Sequence, residues 1–287
     1  MWENSYHYTY KTFSRKIIKL KWVSKNMNLT KKETLTLVLL IIFLISINYS
    51  WLDSLVIDSF SDDEFVKIDR VIDGDTVKSN ETSIRLLGIN TPEKNEKYYQ
   101  EAKDSLNEMI LNKTVRFEYG KDKKDRYNRT LAYIFLNNEN INLKQVERGF
   151  ANYYFPSGKD VYYDDFKKAW EICIENNKNL CEKSKNICAE CIELKDFNYD
   201  SQEAVFHNSC NYDCNLNDWK IKDEGRKNFI FPDFNLNFKK EVVVKIGEGV
   251  DNSEILFWKG EDYVWTKTGD TLFLRDSEGK LVLFESY

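Results

Sequence analysis

Residues 71–77 read VIDGDTV, residues 84–93 read IRLLGINTPE and residues 125–135 read DRYNRTLAYIF. In the first stretch an Asp-Gly pair interrupts an apolar alternation, the short-range signal of a turn between two strands. In the second, Arg85 stands inside an otherwise apolar strand of Ile84, Leu86 and Leu87. Pro92 biases Thr91 toward extended backbone, so Asn90-Thr91-Pro92-Glu93 leaves that strand as an extended turn. In the third, Asp125 to Arg129 run directly into an apolar strand. Around these stretches, Val66 to Asp69 and Thr114 to Tyr119 alternate as strands. Tyr98 to Leu111 places Ala102, Leu106, Met109 and Ile110 at helical spacing. Ile141 to Arg148 reads as a short helix stopped by Gly149, and Tyr162 to Asn177 as an amphipathic helix with Phe166, Ala169, Trp170 and Cys173 on one face. Five short strands interleaved with helices predict an α+β fold on a five-stranded OB-type barrel over residues 64–185.

The polar residues of these stretches form a chemical set. Asp73 and Asp75 flank a turn glycine; Asn90, Thr91 and Glu93 leave the arginine strand; Arg126 and Arg129 frame Tyr127. Singly, each has a plain reading: an Asp-Gly-Asp turn is ordinary turn chemistry, and a strand arginine pairs with a neighbouring acid. Together, carboxylate and carbonyl oxygens suit a hard cation such as Ca²⁺. Guanidinium forks suit phosphate oxygens, and a glutamate can orient or deprotonate an attacking water. These are parts for phosphodiester hydrolysis without histidine. The chain has two histidines, His7 and His207, which excludes a Ser-His-Asp triad, a His-metal finger or an HExxH helix in the middle of the chain. His207 is expected to be a structural or surface residue rather than a ligand.

VIDGDTV, IRLLGINTPE and DRYNRTLAYIF, in this order, resemble the staphylococcal nuclease (thermonuclease) family over residues 64–185. The resemblance implies an OB-type barrel with helices and a Ca²⁺-dependent endonuclease acting on DNA and RNA with little sequence preference. It implies that Arg85, Glu93 and Arg129 are catalytic: Arg85 on the scissile phosphate, Glu93 as base or water-orienting residue, Arg129 stabilising the transition state. It implies one Ca²⁺ ion held by Asp75, Asn90 and the Thr91 carbonyl. Where the family's founding sequence has a second acidic ligand, this chain has Asn90, so weaker Ca²⁺ binding is expected. Arg126 and Tyr127 are expected at the substrate, and Tyr153 and Tyr154 are candidates for stacking on bases. The alternative is a catalytically weak nucleic-acid-binding or envelope-associated scaffold.

Outside this region the chain changes character. Leu35 to Leu52 is an eighteen-residue run without a charge, ending in Tyr49 and Trp51 and preceded by Lys31 and Lys32. It predicts a transmembrane signal anchor at 35–52, with a basic cytoplasmic segment at 1–34 (Met27 is an alternative start) and the remainder outside the membrane. A cleaved signal peptide and secretion is the alternative. Residues 53–63 are acidic and read as a linker. All six cysteines fall between 173 and 214; Cys188, Cys191, Cys210 and Cys214 are candidates for disulfides or for a zinc site.

Residues 186–287 show short apolar runs divided by turn residues and predict an all-β domain. Trp219 in LNDWKIKDEG, the FIFP segment and GDTLFLRDSEGKLV resemble a lamin-tail domain, which implies an immunoglobulin-like sandwich. Twelve basic against twenty acidic residues leave this half at −8, which disfavours direct DNA binding. A protein or envelope partner, or presentation of the nuclease, is the expected role.

Overall fold

The computed structural model describes residues 30–47 and 64–287 and divides into an N-terminal unit, Met1–Asp62, and a larger unit, Asp63–Tyr287. In the first, Lys31–Ile47 form a 17-residue helix, α1. A capping box starts it: the Thr30 amide donates to the Glu33 carboxylate at 2.8 Å and the Glu33 amide donates to Thr30 Oγ1 at 3.4 Å. Leu35, Leu39 and Phe43 are exposed along it. Among the described residues, no helix is long and apolar enough to cross a membrane. Residues 48–52 of the expected span, the basic residues 1–29 and the segment 53–63 lie outside the described residues.

In the larger unit two residues, Ile68 and Asp69, decide the topology of the first half. Strand β1 (Glu64–Lys67) pairs with β6 (Thr114–Lys124), whereas β2 (Arg70–Val71) pairs with β3 (Thr76–Ser79). With β4 (Thr82–Leu86) and β7 (Thr130–Leu136) the strand order is β1-β6-β7-β4-β3-β2. The two edges of the sheet are therefore consecutive in sequence. The Ile68 amide donates to the Lys113 carbonyl at 3.0 Å and the Asp69 amide to the Lys78 carbonyl at 2.9 Å, so the sheet curls until its edges meet. The expected five strands become seven paired segments, because β2 is a separate two-residue rung and β8 (Glu139–Asn140) adds a rung to β7. A further small ladder joins β5 (Ile89–Asn90) to β9 (Asn152–Tyr153).

Helices α2 (Tyr99–Ile110), α3 (Ile141–Glu147) and α4 (Tyr163–Asn176) belong to the same half. They fall where the apolar spacing predicts. Helix α3 is capped by Asn140, whose side chain accepts from the amides of Asn142 and Leu143. It stops before Gly149, which has φ +72° and where a Cβ would come within 2.6 Å of the Lys178 carbonyl.

The second half contains two four-stranded sheets. One is β10 (Ile192–Asn198), β11 (Glu203–Asn208), β16 (Glu241–Ile246) and β17 (Ile255–Trp258); the other is β14 (Asn228–Ile230), β13 (Lys220–Lys222), β18 (Thr271–Arg275) and β19 (Leu281–Ser286), and the short strands β12 (Cys214–Asn215) and β15 (Asn235–Leu236) pair with each other. Phe206, Val242, Val244 and Leu256 of the first share one core with Ile221, Leu272 and Leu274 of the second, around Trp219. This half is β-rich, as its sequence predicts, and one of its pairings, β16 with β17, is parallel. The cysteines pair as Cys173–Cys181, Cys188–Cys214 and Cys191–Cys210. The two bridges of the second half bring the Sγ atoms of Cys188, Cys210 and Cys214 within 4.8 Å of one another.

The two halves share buried surface through β18, all five residues of which are buried. Leu272 and Leu274 enter the sandwich core while Phe273 enters the barrel core, the period-two alternation of a strand covered on both faces. Phe273 meets Trp170 of α4 edge-on at 5.4 Å between ring centroids, and Phe284 of β19 meets the same indole at 5.9 Å.

Candidate active site

The Asp-Gly-Asp turn sits between β2 and β3 and is held by close packing. A Cβ on Gly74 would lie 2.8 Å from Ala102 Cβ and 2.9 Å from Thr91 Cβ, so only glycine lets α2 and the Thr91 segment close on the turn. Gln145 of α3 completes the clamp. Its Nε2 donates to the carbonyls of Gly74 and Ala102, each at 2.9 Å, and its Oε1 accepts from the Ser105 hydroxyl at 2.8 Å. The turn presents Asp75, buried, with Asp73 half-buried beside it. Burial, and then the charge of Asp75, push the Asp73 carboxyl up to about 6.

Strand β4 delivers Arg85 to Asp75. Arg85 Nη2 lies 3.1 Å from Asp75 Oδ2 and donates to Asn90 Oδ1 at 3.2 Å, while Nη1 donates to the Leu86 carbonyl at 2.8 Å. The Thr91 amide and hydroxyl both donate to Asp75 Oδ2, at 3.0 and 2.9 Å. Asp75, Arg85, Asn90 and Thr91 are all buried. Sequence reasoning named these four, and direct hydrogen bonds join them. A buried ion pair of this kind is a weak contributor to stability.

Glu93, exposed, lies two residues beyond this cluster. Arg126, Tyr127 and Arg129 form a separate group on the 125–129 turn. There the Asp125 carboxylate accepts from Arg129 Nε at 2.7 Å and from the amides of Tyr127 and Arg129, each at 2.9 Å. Tyr127 is 61% exposed, with the guanidinium carbons of Arg126 and Arg129 at 4.8 and 5.5 Å from its ring centroid. Because β7 runs parallel to β4 with Thr130 opposite Ile84, this turn lies at the start of that ladder, beside Arg85's strand.

Tyr153 is not a stacking platform. It is 1% exposed, and its hydroxyl lies 3.0 Å from the Thr271 hydroxyl. Both residues of β9 are buried, and Tyr153 lies against Thr271 of β18. Tyr154 is half-buried. Burial pushes its hydroxyl up, Asp223 and Asp270 push the same way, and Arg85 and Arg226 oppose them.

That last set introduces residues the sequence reading did not single out. The turn 223–226, between β13 and β14, reaches the site from the second half. The Gly225 carbonyl accepts from Asn90 Nδ2 at 2.7 Å, and Arg226 Nε lies 2.7 Å from Glu93 Oε1. Asn152 Nδ2 donates to the Glu224 carbonyl at 3.0 Å. The Glu224 carboxylate accepts from the Phe155 amide at 3.3 Å and from the Thr271 hydroxyl at 2.7 Å. Burial first, with repulsion from Asp270, pushes the Asp223 and Glu224 carboxyls up to about 7. Burial likewise raises Asp270 to about 6. In sequence the turn is only the end of LNDWKIKDEG, with nothing that ties it to Asn90 or Glu93. Gln145 did leave a signal: with Asn142 it puts two amides three residues apart among the buried positions of a short helix.

Guanidinium groups, carboxylates and oxygen donors collected on a curled OB-like barrel are the groups that phosphodiester cleavage calls on. Residues 83–183 match the model of the staphylococcal nuclease homologue family. The thermonuclease of Staphylococcus hyicus is 33% identical over 132 residues, which cover 42% of this chain and 78% of the relative. The thermonuclease of Staphylococcus intermedius is 32% identical over 126 residues, 40% of this chain and 75% of the relative. An uncharacterized endonuclease of Haemophilus influenzae is 35% identical over 102 residues, 34% of this chain and 56% of the relative. The chain belongs to the staphylococcal nuclease homologue family, and these relatives support a nuclease function, that of a hydrolase acting on nucleic acid.

Proposed function

We propose that this protein is a metal-dependent endonuclease that hydrolyses phosphodiester bonds of DNA or RNA with little sequence preference. The observation that carries the reading is the buried Asp75–Arg85 pair at 3.1 Å, closed by Thr91 and set beside a second carboxyl, Asp73. The donor set is all oxygen, as a hard cation requires, and two carboxyls crowded on one turn gain from a cation between them. The residues therefore fit Ca²⁺. Asp75 and the Thr91 carbonyl would hold it, and when bound it supplies positive charge to the phosphate under attack; the Asn90 amide, expected as a third ligand, is taken up by Arg85 and Gly225. Arg85 binds and polarises the phosphate with its guanidinium fork. Glu93, exposed beside the cluster, orients and deprotonates the attacking water. Arg129, preset by Asp125, meets the charge that builds on the leaving oxygen, and Arg126 and Tyr127 steady the neighbouring nucleotides.

The test is fragmentation of single-stranded and duplex DNA, and of RNA, by the full chain with Ca²⁺ or with chelator. Glu93→Gln should lower the rate by about 10²–10⁴-fold with unchanged circular dichroism. Cutting at a normal rate by that variant, or cutting undiminished by chelator, would reject the mechanism.

Anchoring by residues 35–52, with the catalytic half outside the membrane, belongs to the same proposal. It rests on the uncharged run, its basic flank and the cysteines. Membrane fractionation with protease accessibility of the intact cell tests it, and release by high salt alone would count against it. The lamin-tail resemblance of 186–287 is supported by its β-rich composition, and an envelope or protein partner for it stays part of this reading.

A further inference from the structure

The 223–226 turn touches the site at two residues: Asn90, in the buried cluster with Arg85 and Asp75, and Glu93, the proposed water-orienting residue. We propose that this turn is a working part of the nuclease site, with Asn90 as its socket and Arg226 as the positioning residue for Glu93. The inference rests on the nuclease reading above and adds to it a contribution in cis from the second half.

The first argument is the chemistry of the socket. Asn90 Nδ2 donates to the Gly225 carbonyl at 2.7 Å, while its Oδ1 accepts from Arg85 Nη2 at 3.2 Å. Both ends of the amide are used, and Asn90 is 2% exposed. A carboxylate at 90 could still face Arg85, but it has no proton for Gly225 and would set two oxygens against each other. The turn thus requires the amide. Hydrogen bonding runs unbroken from Gly225 through Asn90 and Arg85 to Asp75.

The second argument is how firmly the turn is seated. Glu224 is 8% exposed and bonded to both halves, through Asn152 and Phe155 on one side and Thr271 on the other. Its neighbour Lys222 reaches Glu96 at 3.2 Å. Arg226 therefore projects from a fixed base. The third argument is the nature of the Arg226–Glu93 pair. Both side chains are well exposed, at 61% and 47%, so the pair contributes little to folding. What it does is restrict the rotamers of Glu93 and point its carboxylate, a positioning effect that acts on turnover.

Two measurements on the full chain test this. The first is steady-state cleavage of single-stranded DNA with Ca²⁺. Arg226→Ala should lower kcat by about tenfold with KM little changed, Arg226→Lys should restore most of the loss, and in a Glu93→Gln background Arg226→Ala should cost nothing further. Faster cutting by Arg226→Ala, or equal losses with Glu93 present and absent, would overturn the positioning role. The second needs no activity: trypsin cleavage after Arg226 or Lys227. Asn90→Asp should speed it by about an order of magnitude, which is the unseating of the turn, while Asn90→Gln, which keeps the donor, should speed it less. Equal cleavage of wild type and Asn90→Asp would overturn the socket. If wild type cuts no nucleic acid with any divalent ion, the nuclease reading falls, and the trypsin result still decides whether the turn docks on Asn90.

Discussion

Arg85 is the residue on which most of the site converges. Its guanidinium touches Asp75, Asn90 and the Leu86 carbonyl while 7% exposed. Arg85→Ala should therefore fail in two separable ways. Cleavage should drop by about 10³-fold, the scale of losing one preorganised charge stabiliser. Stability should fall by about 3 kcal/mol, because Asp75 keeps its burial and loses its counter-charge. Activity assays and urea midpoints read the two effects independently; a variant as stable as wild type would mean that Asp75 finds another partner. The charged residues that the first half brings to the site, Asp75, Arg85, Glu93, Arg126 and Arg129, were legible as types and spacings, since each lies within one of the three quoted stretches. The partners of Asn90 and Glu93 were not, because Gly225 is 135 residues from Asn90 and nothing near it in the chain announces a binding role.

Helix α3 is the element that turns this collection into a fixed geometry. It is seven residues long, too short to be stable by itself, and survives through its Asn140 cap and its buried face. Gln145 links it to the Asp-Gly-Asp turn and to α2 at once, and Asn142 Nδ2 donates to the Leu87 carbonyl at 2.8 Å where β4 ends. Gln145→Leu should leave the Gly74 and Ala102 carbonyls without this donor inside the core, at a cost of about 2–3 kcal/mol. It should also lower cleavage without removing any group that touches substrate. Chemical denaturation beside kcat measures both, and full activity in a clearly destabilised variant would show that the turn keeps its shape unaided. The helix itself was legible from its spacing and its terminal glycine. Its role as a clamp was not, because a buried amide identifies its partners only once the chain is folded.

For the whole molecule, the shared strand β18 makes the two halves interdependent. Phe273→Ala removes a ring that is 1% exposed and packed on Trp170, and should cost about 3 kcal/mol or more. It should increase hydrogen exchange in α4 as well as in the β18 region; a change confined to the second half would show the shared packing to be weak. The same boundary holds the carboxyls of Asp223 and Glu224, raised to about 7, and of Asp270, raised to about 6. Each is raised relative to the unfolded chain, so its protonated form is the one the fold favours. That contribution is complete below the ordinary carboxylate range and is lost as the pH climbs through 6 to 7. Unfolding free energy should accordingly be greater at pH 5.5 than at pH 8, by roughly 2 kcal/mol, and Asp223→Asn should flatten the slope. Thermal melts across this range decide it, and a rise in stability toward pH 8 would contradict the assignment. The disulfides add a redox counterpart: reducing Cys188–Cys214 should cost about 3 kcal/mol, visible as a lower Tm in dithiothreitol.

By itself the sequence determined the curled α+β barrel, the β-rich second half and the reactive residue types, because periodicity, turn residues and a polar set placed between apolar strands are all local properties of the chain. It also carried the cysteine count that makes three bridges possible. Only the tertiary structure decided which cysteines pair, that Tyr153 is a core residue, that one strand serves two cores, and that Asn90 and Glu93 are met by a turn from the far end of the chain. Those outcomes depend on contacts between segments many residues apart, such as the Trp170–Phe273 packing that joins the two halves, and burial of apolar surface is what drives such contacts.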